Sequence, residues 1–288
     1  MRYAVSNWIY GEEALEETCA RLARLGFDGI ELRGEPDLYD LPRLQRLLEA
    51  HRLGVTSICG MYPGPREPRD LSHPDAAVRQ AAVAYVQACV DLAAAVGAPV
   101  VIVTPNPVGK TQPLASPADE WRWAVDAVRA AAAACAGRGV RLAIEPINRY
   151  ETYLINTVAQ ALEFARQVDH PATAVMMDTF HANIEEHDVA DAARQAGTRL
   201  AHMHVADSNR QGVGRGHIDF RRLVRALVEI GYDGTLALEP LPPLANPYAA
   251  MAGRRALEVA ERFAAESLHL LRLYEHVVQP AAPEPARA

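Results

Sequence analysis

"VRLAIE", residues 140–145, is the stretch that decides how this chain folds. The run is short and, apart from Arg141, apolar, which is typical of a strand buried on both faces of a parallel sheet. It ends in a carboxylate, Glu145. Because burying an unpaired carboxylate is costly, this ending predicts that Glu145 has a partner at the end of the strand.

Similar short apolar runs recur along the chain, and stretches with helical periodicity separate them. Strict alternation of strand and helix predicts a parallel sheet, and eight units close a single (β/α)8 TIM barrel, an α/β fold. An open doubly wound sheet is the alternative, but no GxGxxG motif follows the first strand to support it. The predicted strands are residues 3–9, 29–33, 55–59, 99–104, 140–145, 174–178, 200–204 and 235–239.

Length and composition are those of a globular protein with a large core, since the chain has 288 residues, 50% of them hydrophobic and 23% charged. We expect one catalytic barrel domain over residues 1–278, followed by a disordered Pro- and Ala-rich tail over residues 279–288. No early segment has the pattern of a signal peptide, and no apolar run approaches the roughly 18 residues of a membrane span. These features predict a cytoplasmic protein with no membrane partner.

The charge balance bears on the kind of partner. A formal net charge of −7 opposes binding to a phosphate backbone, which depends on clustered Lys and Arg, so a small polar substrate is favoured over nucleic acid. The four cysteines, Cys19, Cys59, Cys89 and Cys135, are far apart and form no CxxC pair. They are predicted to be packing residues rather than disulfides or zinc ligands.

Four polar residues end four consecutive predicted strands: Glu145, Asp178, His204 and Glu239. The intervals between them are 33, 26 and 35 residues, each close to one strand-helix unit. Chemistry in such barrels sits at the carboxyl ends of the strands, so these side chains are predicted to converge. Three carboxylates would repel one another without a cation, and a divalent metal turns that repulsion into binding. An oxygen-rich set with no thiolate favours Mn²⁺, Mg²⁺ or Co²⁺ over a structural zinc site.

The segments around these residues resemble a known family. "EPINRYETYLINT" from Glu145, "MMDTFHANIEE" from Met176, "HMHVADSNRQGVGRG" from His202 and "LEP" from Leu238 are similar to the ketose 3-epimerases. This is the D-tagatose/D-psicose 3-epimerase family of the xylose-isomerase-like barrels. The resemblance also takes in "LSHPDAAVRQAAVAYVQ" from Leu71, and it is weaker in the first sixty residues and after Glu239.

The resemblance implies a role for each matching residue. It identifies the four strand-end residues as ligands of one divalent metal, Mn²⁺ before Co²⁺ or Mg²⁺, and makes Glu145 and Glu239 the acid/base pair as well. It also implies that His181 and Arg210 contact substrate oxygens, that Glu151 is a further substrate-side glutamate, and that the protein forms a homodimer or homotetramer.

Two residues outside the matching set are also of interest. Trp8, near the end of the first strand, is predicted either to wall the pocket or to pack in the core. His202 alternates with His204, so it faces the same side one layer deeper, and support of the site is favoured over ligation. The chain departs from the family in "TPNPVGKTQPL" from Thr104, where many members carry an aromatic lid, and in "PLPPL" from Pro240.

Inverting a carbon beside a carbonyl requires removal of its proton and return of a proton to the opposite face. Glu145 and Glu239 would do this from opposite sides, and the metal would stabilise the enediolate. The sequence therefore predicts an isomerase, a ketose 3-epimerase. The alternatives are another enzyme of the same barrel group (an aldose-ketose isomerase, a hydroxypyruvate isomerase or an inosose dehydratase) and a sugar-binding protein without turnover. Endonuclease IV shares the fold but needs more strand-end histidines.

Overall fold

A computed structural model describes residues 1–62, 68–244 and 254–278. The strands in these ranges pair in parallel and in sequence order, and the last pairs with the first, Leu238 opposite Val5. The predicted single (β/α)8 barrel is therefore confirmed, because an open sheet would leave these two edges unpaired. The strands are Arg2–Ser6 (β1), Gly29–Gly34 (β2), Gly54–Gly60 (β3), Val100–Val103 (β4), Arg141–Ile144 (β5), Thr173–Asp178 (β6), Leu200–Val205 (β7) and Thr235–Leu238 (β8).

Helices surround the barrel. None of those in the described residues combines the length and the apolar character needed to cross a membrane. The predicted tail, residues 279–288, lies outside the described residues. The α-helices are Leu15–Leu25 (α1), Leu41–His51 (α2), Ala76–Val96 (α3), Pro117–Ala132 (α4), Val158–Val168 (α5), Thr179–Glu185 (α6), Val189–Ala196 (α7), Phe220–Glu229 (α8) and Arg254–Val278 (α9).

Side chains alternate between the two faces of each strand and form two apolar layers. The larger layer lies between the strands and the helices, where the burial of aliphatic side chains such as Ile30 and Leu142 stabilises the ring. The smaller layer fills the inside of the barrel, and Trp8 packs against it. It consists of Cys59, Val100, Ile102, Ala143, Ala174, Met176 and Ala201.

The first strand is shorter than predicted. β1 ends at Ser6, and residues Asn7–Tyr10 form a 3₁₀ turn instead of continuing to residue 9. The side-chain oxygen of Asn7 accepts a hydrogen bond from the backbone amide of Arg33, 2.8 Å away, which ends the pairing of β1 with β2. The turn places Trp8 at the carboxyl end of the barrel rather than in the sheet.

The segment after β5 is held by a capping box at the start of α5. The hydroxyl of Thr157 accepts from the backbone amide of Gln160, and the side-chain oxygen of Gln160 accepts from the amides of Asn156 and Thr157. This fixes the far end of the segment that begins at Glu145.

Candidate active site

The four predicted strand-end residues meet at the carboxyl end of the barrel. Nδ1 of His204 lies 3.6 Å from Oε1 of Glu145, 3.9 Å from Oδ2 of Asp178 and 3.2 Å from Oε2 of Glu239. All four side chains are buried. One imidazole nitrogen thus faces three carboxylate oxygens that come from three different strands.

The protonation of His204 follows from its other nitrogen. Nε2 lies 3.0 Å from Oε1 of Glu31 and 3.2 Å from its Oε2. Since a carboxylate only accepts, Nε2 carries a proton, and Nδ1 is the nitrogen left to offer a lone pair to a cation. Within the described residues, Nδ1 has no hydrogen-bond partner. A buried lone pair beside three carboxylate oxygens is the donor set of a divalent metal, so the residues present fit such an ion.

Arg210 neutralises part of this charge. Its guanidinium donates to Oδ2 of Asp178 and, over 2.8 Å, to Oε2 of Glu239. The backbone of Arg210 has φ +61°, in the left-handed region that non-glycine residues rarely adopt. Holding the residue in this conformation therefore costs conformational free energy. Its amide donates to the carbonyl of Asp207, and its carbonyl accepts from Leu241, which fixes that conformation.

His181, in the first turn of α6, lies beside Asp178, with Nε2 3.7 Å from Oδ2. Its Nδ1 is 2.7 Å from the side-chain nitrogen of Asn148, which also donates to Glu151 over 3.0 Å. The amide orientation follows from Asn148 Oδ1, which accepts from the backbone of Tyr150. Asn148 therefore donates to Nδ1, and His181 presents Nε2–H to the cavity.

A cavity of about 300 Å³ lies above these groups. Its size is near the lower end of small-molecule sites, about 300–1,000 Å³, and suits a small ligand. The indole nitrogen of Trp8 donates to Oε1 of Glu239 at its edge, while Asp178 lies beneath it under Arg210. Both polar and apolar residues line the cavity. The polar residues are Thr104, Glu145, Glu151, His181, His204, Arg210 and Glu239, and the apolar wall includes Trp8, Met61, Tyr62, Val108 and Ile147.

Val108 belongs to the segment after β4 that departs from the family pattern. The amide of the next residue, Gly109, donates to the carbonyl of Glu151 over 2.8 Å, and the side-chain nitrogen of Asn106 donates to the carbonyl of Lys110. Gly109 has φ +94°, which a side chain would disfavour. The loop is thereby tied to the segment that carries Glu151.

Sequence reasoning missed Glu31. Its carboxylate is fully buried in β2, where it accepts from Ser57 (2.6 Å) and contacts Nε2 of both His202 (2.8 Å) and His204. His202 lies below the cavity, in the supporting position that the alternation of β7 predicts. A prediction based on strand ends does not include Glu31, because this residue lies inside β2. The available signal was a carboxylate at the centre of an apolar strand, between Ile30 and Leu32.

The carboxylates differ in proton affinity. Burial raises the pKa of Glu239 to about 7, although electrostatic interactions with His204 and Arg210 act to lower it. Burial also acts to raise the pKa of Asp178, but electrostatic interactions with Arg210 and His181 outweigh it and hold that pKa well below its usual range. Glu239 thus holds a proton more readily than Asp178 does.

Known proteins share this fold and much of this sequence. The family model described as "Xylose isomerase-like TIM barrel" matches residues 19–260. A D-psicose 3-epimerase from Ruminiclostridium cellulolyticum is 36% identical over 228 residues, 76% of either chain. An L-ribulose 3-epimerase from Mesorhizobium japonicum is 33% identical over 229 residues, 79% of this chain and 76% of the other.

A solved structure of an epimerase has the same fold over nearly the whole chain. The D-psicose 3-epimerase of Clostridium cellulolyticum H10, crystallised with D-tagatose, superimposes with a TM-score of 0.84 at 27% identity. The match covers 96% of this chain and 99% of that one. The chain therefore belongs to the xylose isomerase-like TIM barrel family and, within it, to the ketose 3-epimerases, which are isomerases.

Proposed function

We propose that this protein is a metal-dependent epimerase that inverts C3 of a ketose of the D-tagatose, D-psicose or L-ribulose type. The observation that carries the proposal is the position of His204 Nδ1, buried among three carboxylates at the floor of a sugar-sized cavity. The names of the relatives supply the substrate class.

Glu145, Asp178, His204 and Glu239 would hold one divalent ion, with Mn²⁺ preferred and Co²⁺ or Mg²⁺ as substitutes. Bound there, the ion would supply the positive charge that stabilises the oxygen of an enediolate.

Proton transfer falls to Glu145 and Glu239, which extend from β5 and β8 on different sides of the barrel mouth. One carboxylate takes the proton from C3, and the other, already protonated, delivers its own proton to the opposite face. The roles exchange in the reverse direction. Trp8 and Arg210 each donate to one oxygen of Glu239, so they fix the direction in which this carboxyl points.

The remaining polar groups bind and orient the sugar. His181 presents Nε2–H, Arg210 presents guanidinium hydrogens, and Glu151 presents a carboxylate that accepts from a hydroxyl. Each extends from a loop or a first helical turn that other residues hold, so the sugar meets groups that are already in place.

We extend the proposal to the whole chain. Residues 1–278 act as the catalytic domain, and the protein works as a homodimer or homotetramer, as the family resemblance implies. We place it in the cytoplasm, a reducing compartment, since Cys19, Cys59, Cys89 and Cys135 are all free and buried.

The test is a panel of ketoses incubated with the protein in D₂O, after removal of metal with EDTA and addition of Mn²⁺, Co²⁺ or Mg²⁺. We expect about one ion per chain, C3 epimers as products and deuterium at C3 by NMR. An aldose product would instead favour an aldose-ketose isomerase. Sugar binding with no exchange at any carbon would leave a binding protein.

A further inference from the structure

Glu31 is a buried carboxylate to which no catalytic role has been given. Within the described residues, its ion-pair partners are two imidazoles, those of His202 and His204, and no Lys or Arg. Burying a carboxylate whose partners are imidazoles is costly in free energy. We therefore expect Glu31 to have a role toward the side chains that it contacts. It contacts His204 on the side of the ring away from the three strand-end carboxylates.

Glu31 is close enough to the site to be considered as a ligand itself. An atom from each of Glu31, Cys59, His204 and Glu239 lies within 4.8 Å of the others. However, the two oxygens of Glu31 already accept from Ser57 and contact Nε2 of both His202 and His204. Its contact with His204 is through Nε2, whereas Nδ1 faces the carboxylates across the ring. An ion on Nδ1 would therefore be separated from Glu31 by the imidazole.

We propose that Glu31 is a positioning residue for the metal site, an inference that rests on the proposed function. It holds His204 as the Nε2–H tautomer and fixes the plane of the ring, so that Nδ1 presents its lone pair to the cation. Ser57 on β3 and His202 on β7 hold Glu31 in turn, over 2.6 and 2.8 Å. Groups behind a ligating histidine typically change metal affinity about 10- to 100-fold when they are removed.

The decisive variant is Glu31→Gln. Glutamine keeps the shape of the side chain but has one acceptor oxygen in place of two, so it cannot serve both imidazoles as the carboxylate does. We expect the dissociation constant for Mn²⁺, measured by titration calorimetry without sugar, to rise about 10- to 100-fold. The KM for the ketose should be unchanged at saturating Mn²⁺, because Glu31 does not line the cavity. The visible spectrum of the Co²⁺ form should also change, since the ligand geometry at His204 is loosened.

The matched control is Glu35→Gln. Glu35 follows β2 by one residue and pairs with Arg69, 2.8 Å away, so the change removes one carboxylate from the same region without touching His204. Its Mn²⁺ affinity and Co²⁺ spectrum should be those of the wild type. A general loss of stability in this region would affect the control as well.

Glu31→Asp serves as a second variant if Glu31→Gln does not fold. It keeps the charge but withdraws the carboxylate by one methylene, and weaker Mn²⁺ binding is again expected. Wild-type affinity in every folded variant at position 31 would overturn the positioning role while leaving the proposed function intact. Absence of Mn²⁺ binding by the wild-type protein would instead remove the metal site and both proposals together.

Discussion

Two buried ionic clusters in this barrel differ in whether their polar atoms all have hydrogen-bond partners. The mouth cluster consists of Glu31, Glu145, Asp178, His204, Arg210 and Glu239. The loop cluster consists of Asp70, Ser72, Lys110, Glu120 and Tyr153. Lys110 Nζ lies 2.7 Å from Oδ2 of Asp70, 2.5 Å from Oε2 of Glu120 and 2.9 Å from the hydroxyl of Ser72.

In the loop cluster every carboxylate oxygen accepts a hydrogen bond. Asp70 Oδ1 accepts from the amide and hydroxyl of Ser72, and Glu120 accepts from Tyr153 and from the amides of Leu114 and Ala115. In the mouth cluster the guanidinium of Arg210 contacts two of the four carboxylates, Asp178 and Glu239, and within the described residues Nδ1 of His204 has no hydrogen-bond partner. A complete network stabilises a fold, whereas an incomplete one is prepared for a ligand.

The largest expected effect is a loss of turnover on substitution of the proposed acid/base pair. Glu239→Gln or Glu145→Gln is expected to reduce epimerisation by about 10²- to 10⁴-fold, because an amide is not a useful base. The amide retains an oxygen, so Mn²⁺ affinity should fall much less than turnover. Steady-state kinetics and calorimetry on the same preparations measure the two effects.

Near-normal turnover in either glutamine variant, with normal Mn²⁺ binding, would show that the two-carboxylate mechanism is wrong. A hydride shift or another base would then be required.

The loop cluster should respond in stability instead of chemistry. Lys110→Met leaves Asp70 and Glu120 buried without their cation, and we expect a loss of roughly 3 kcal/mol in the free energy of unfolding. Mn²⁺ affinity should stay at the wild-type value. Urea denaturation of the metal-free protein gives the stability, and calorimetry gives the affinity.

Arg122→Met is the control, because it removes an arginine from an exposed pair with Asp119 on α4. Such surface pairs contribute about 1 kcal/mol or less. An equal loss in the two variants would mean that the loop cluster is no more important to stability than a surface pair.

A smaller effect is expected from Asn148→Asp, which tests the position of one proton on His181. A carboxylate at this position accepts where the amide donated, so the proton of His181 would move to Nδ1 and leave Nε2 without a donor for the sugar. We expect kcat to fall about tenfold, as for loss of one oriented hydrogen bond of roughly 1.4 kcal/mol. Mn²⁺ affinity should change little.

Asn183→Asp is the control for the added charge, since it places a carboxylate two residues beyond His181 on the same helix. A similar fall in kcat in both variants would attribute the effect to charge and not to the tautomer of His181.

The smallest expected effect is a difference in acid stability. Burial acts to raise the pKa of Glu120, but hydrogen bonds from Lys110 and Tyr153 outweigh it and lower the pKa below the usual 4.5. The unfolded chain then binds this proton more readily. The contribution of Glu120 to stability is therefore full above pH 4.5 and is lost as the pH falls through the lower folded value.

The stability of Lys110→Met should consequently approach that of the wild type as the pH falls below about 4.5. Urea denaturation of the two metal-free proteins over this range measures the difference. A gap that stays constant with pH would contradict the depressed pKa of Glu120.

The parts of the mouth that could be predicted are those that end a strand. Glu145, Asp178, His204 and Glu239 each close an apolar run, and their spacing by one strand-helix unit places them on neighbouring strands. Glu31 lies in the middle of its strand, 173 positions from His204, and meets it only because the barrel closes. Spacing along the chain carries no information about such a contact across the barrel.

Individual hydrogen bonds determine other features of the fold, and the periodicity of the sequence does not predict them. The predicted first strand runs too far because Asn7 ends its pairing through a side-chain contact with β2. The loop cluster joins Asp70, Lys110 and Glu120 from separate segments, and each reads in sequence as an ordinary surface residue. Both features depend on which donor meets which acceptor after folding.

The backbone hydrogen bond between Gly109 and Glu151 holds the loop after β4 in place, which is useful for enzyme engineering. Val108 precedes the tied glycine, and Lys110 of the loop cluster follows it. A single-site library at position 108 would therefore vary the shape of the apolar wall while the backbone stays in place. Substrate scope should be adjustable there without rebuilding the catalytic centre.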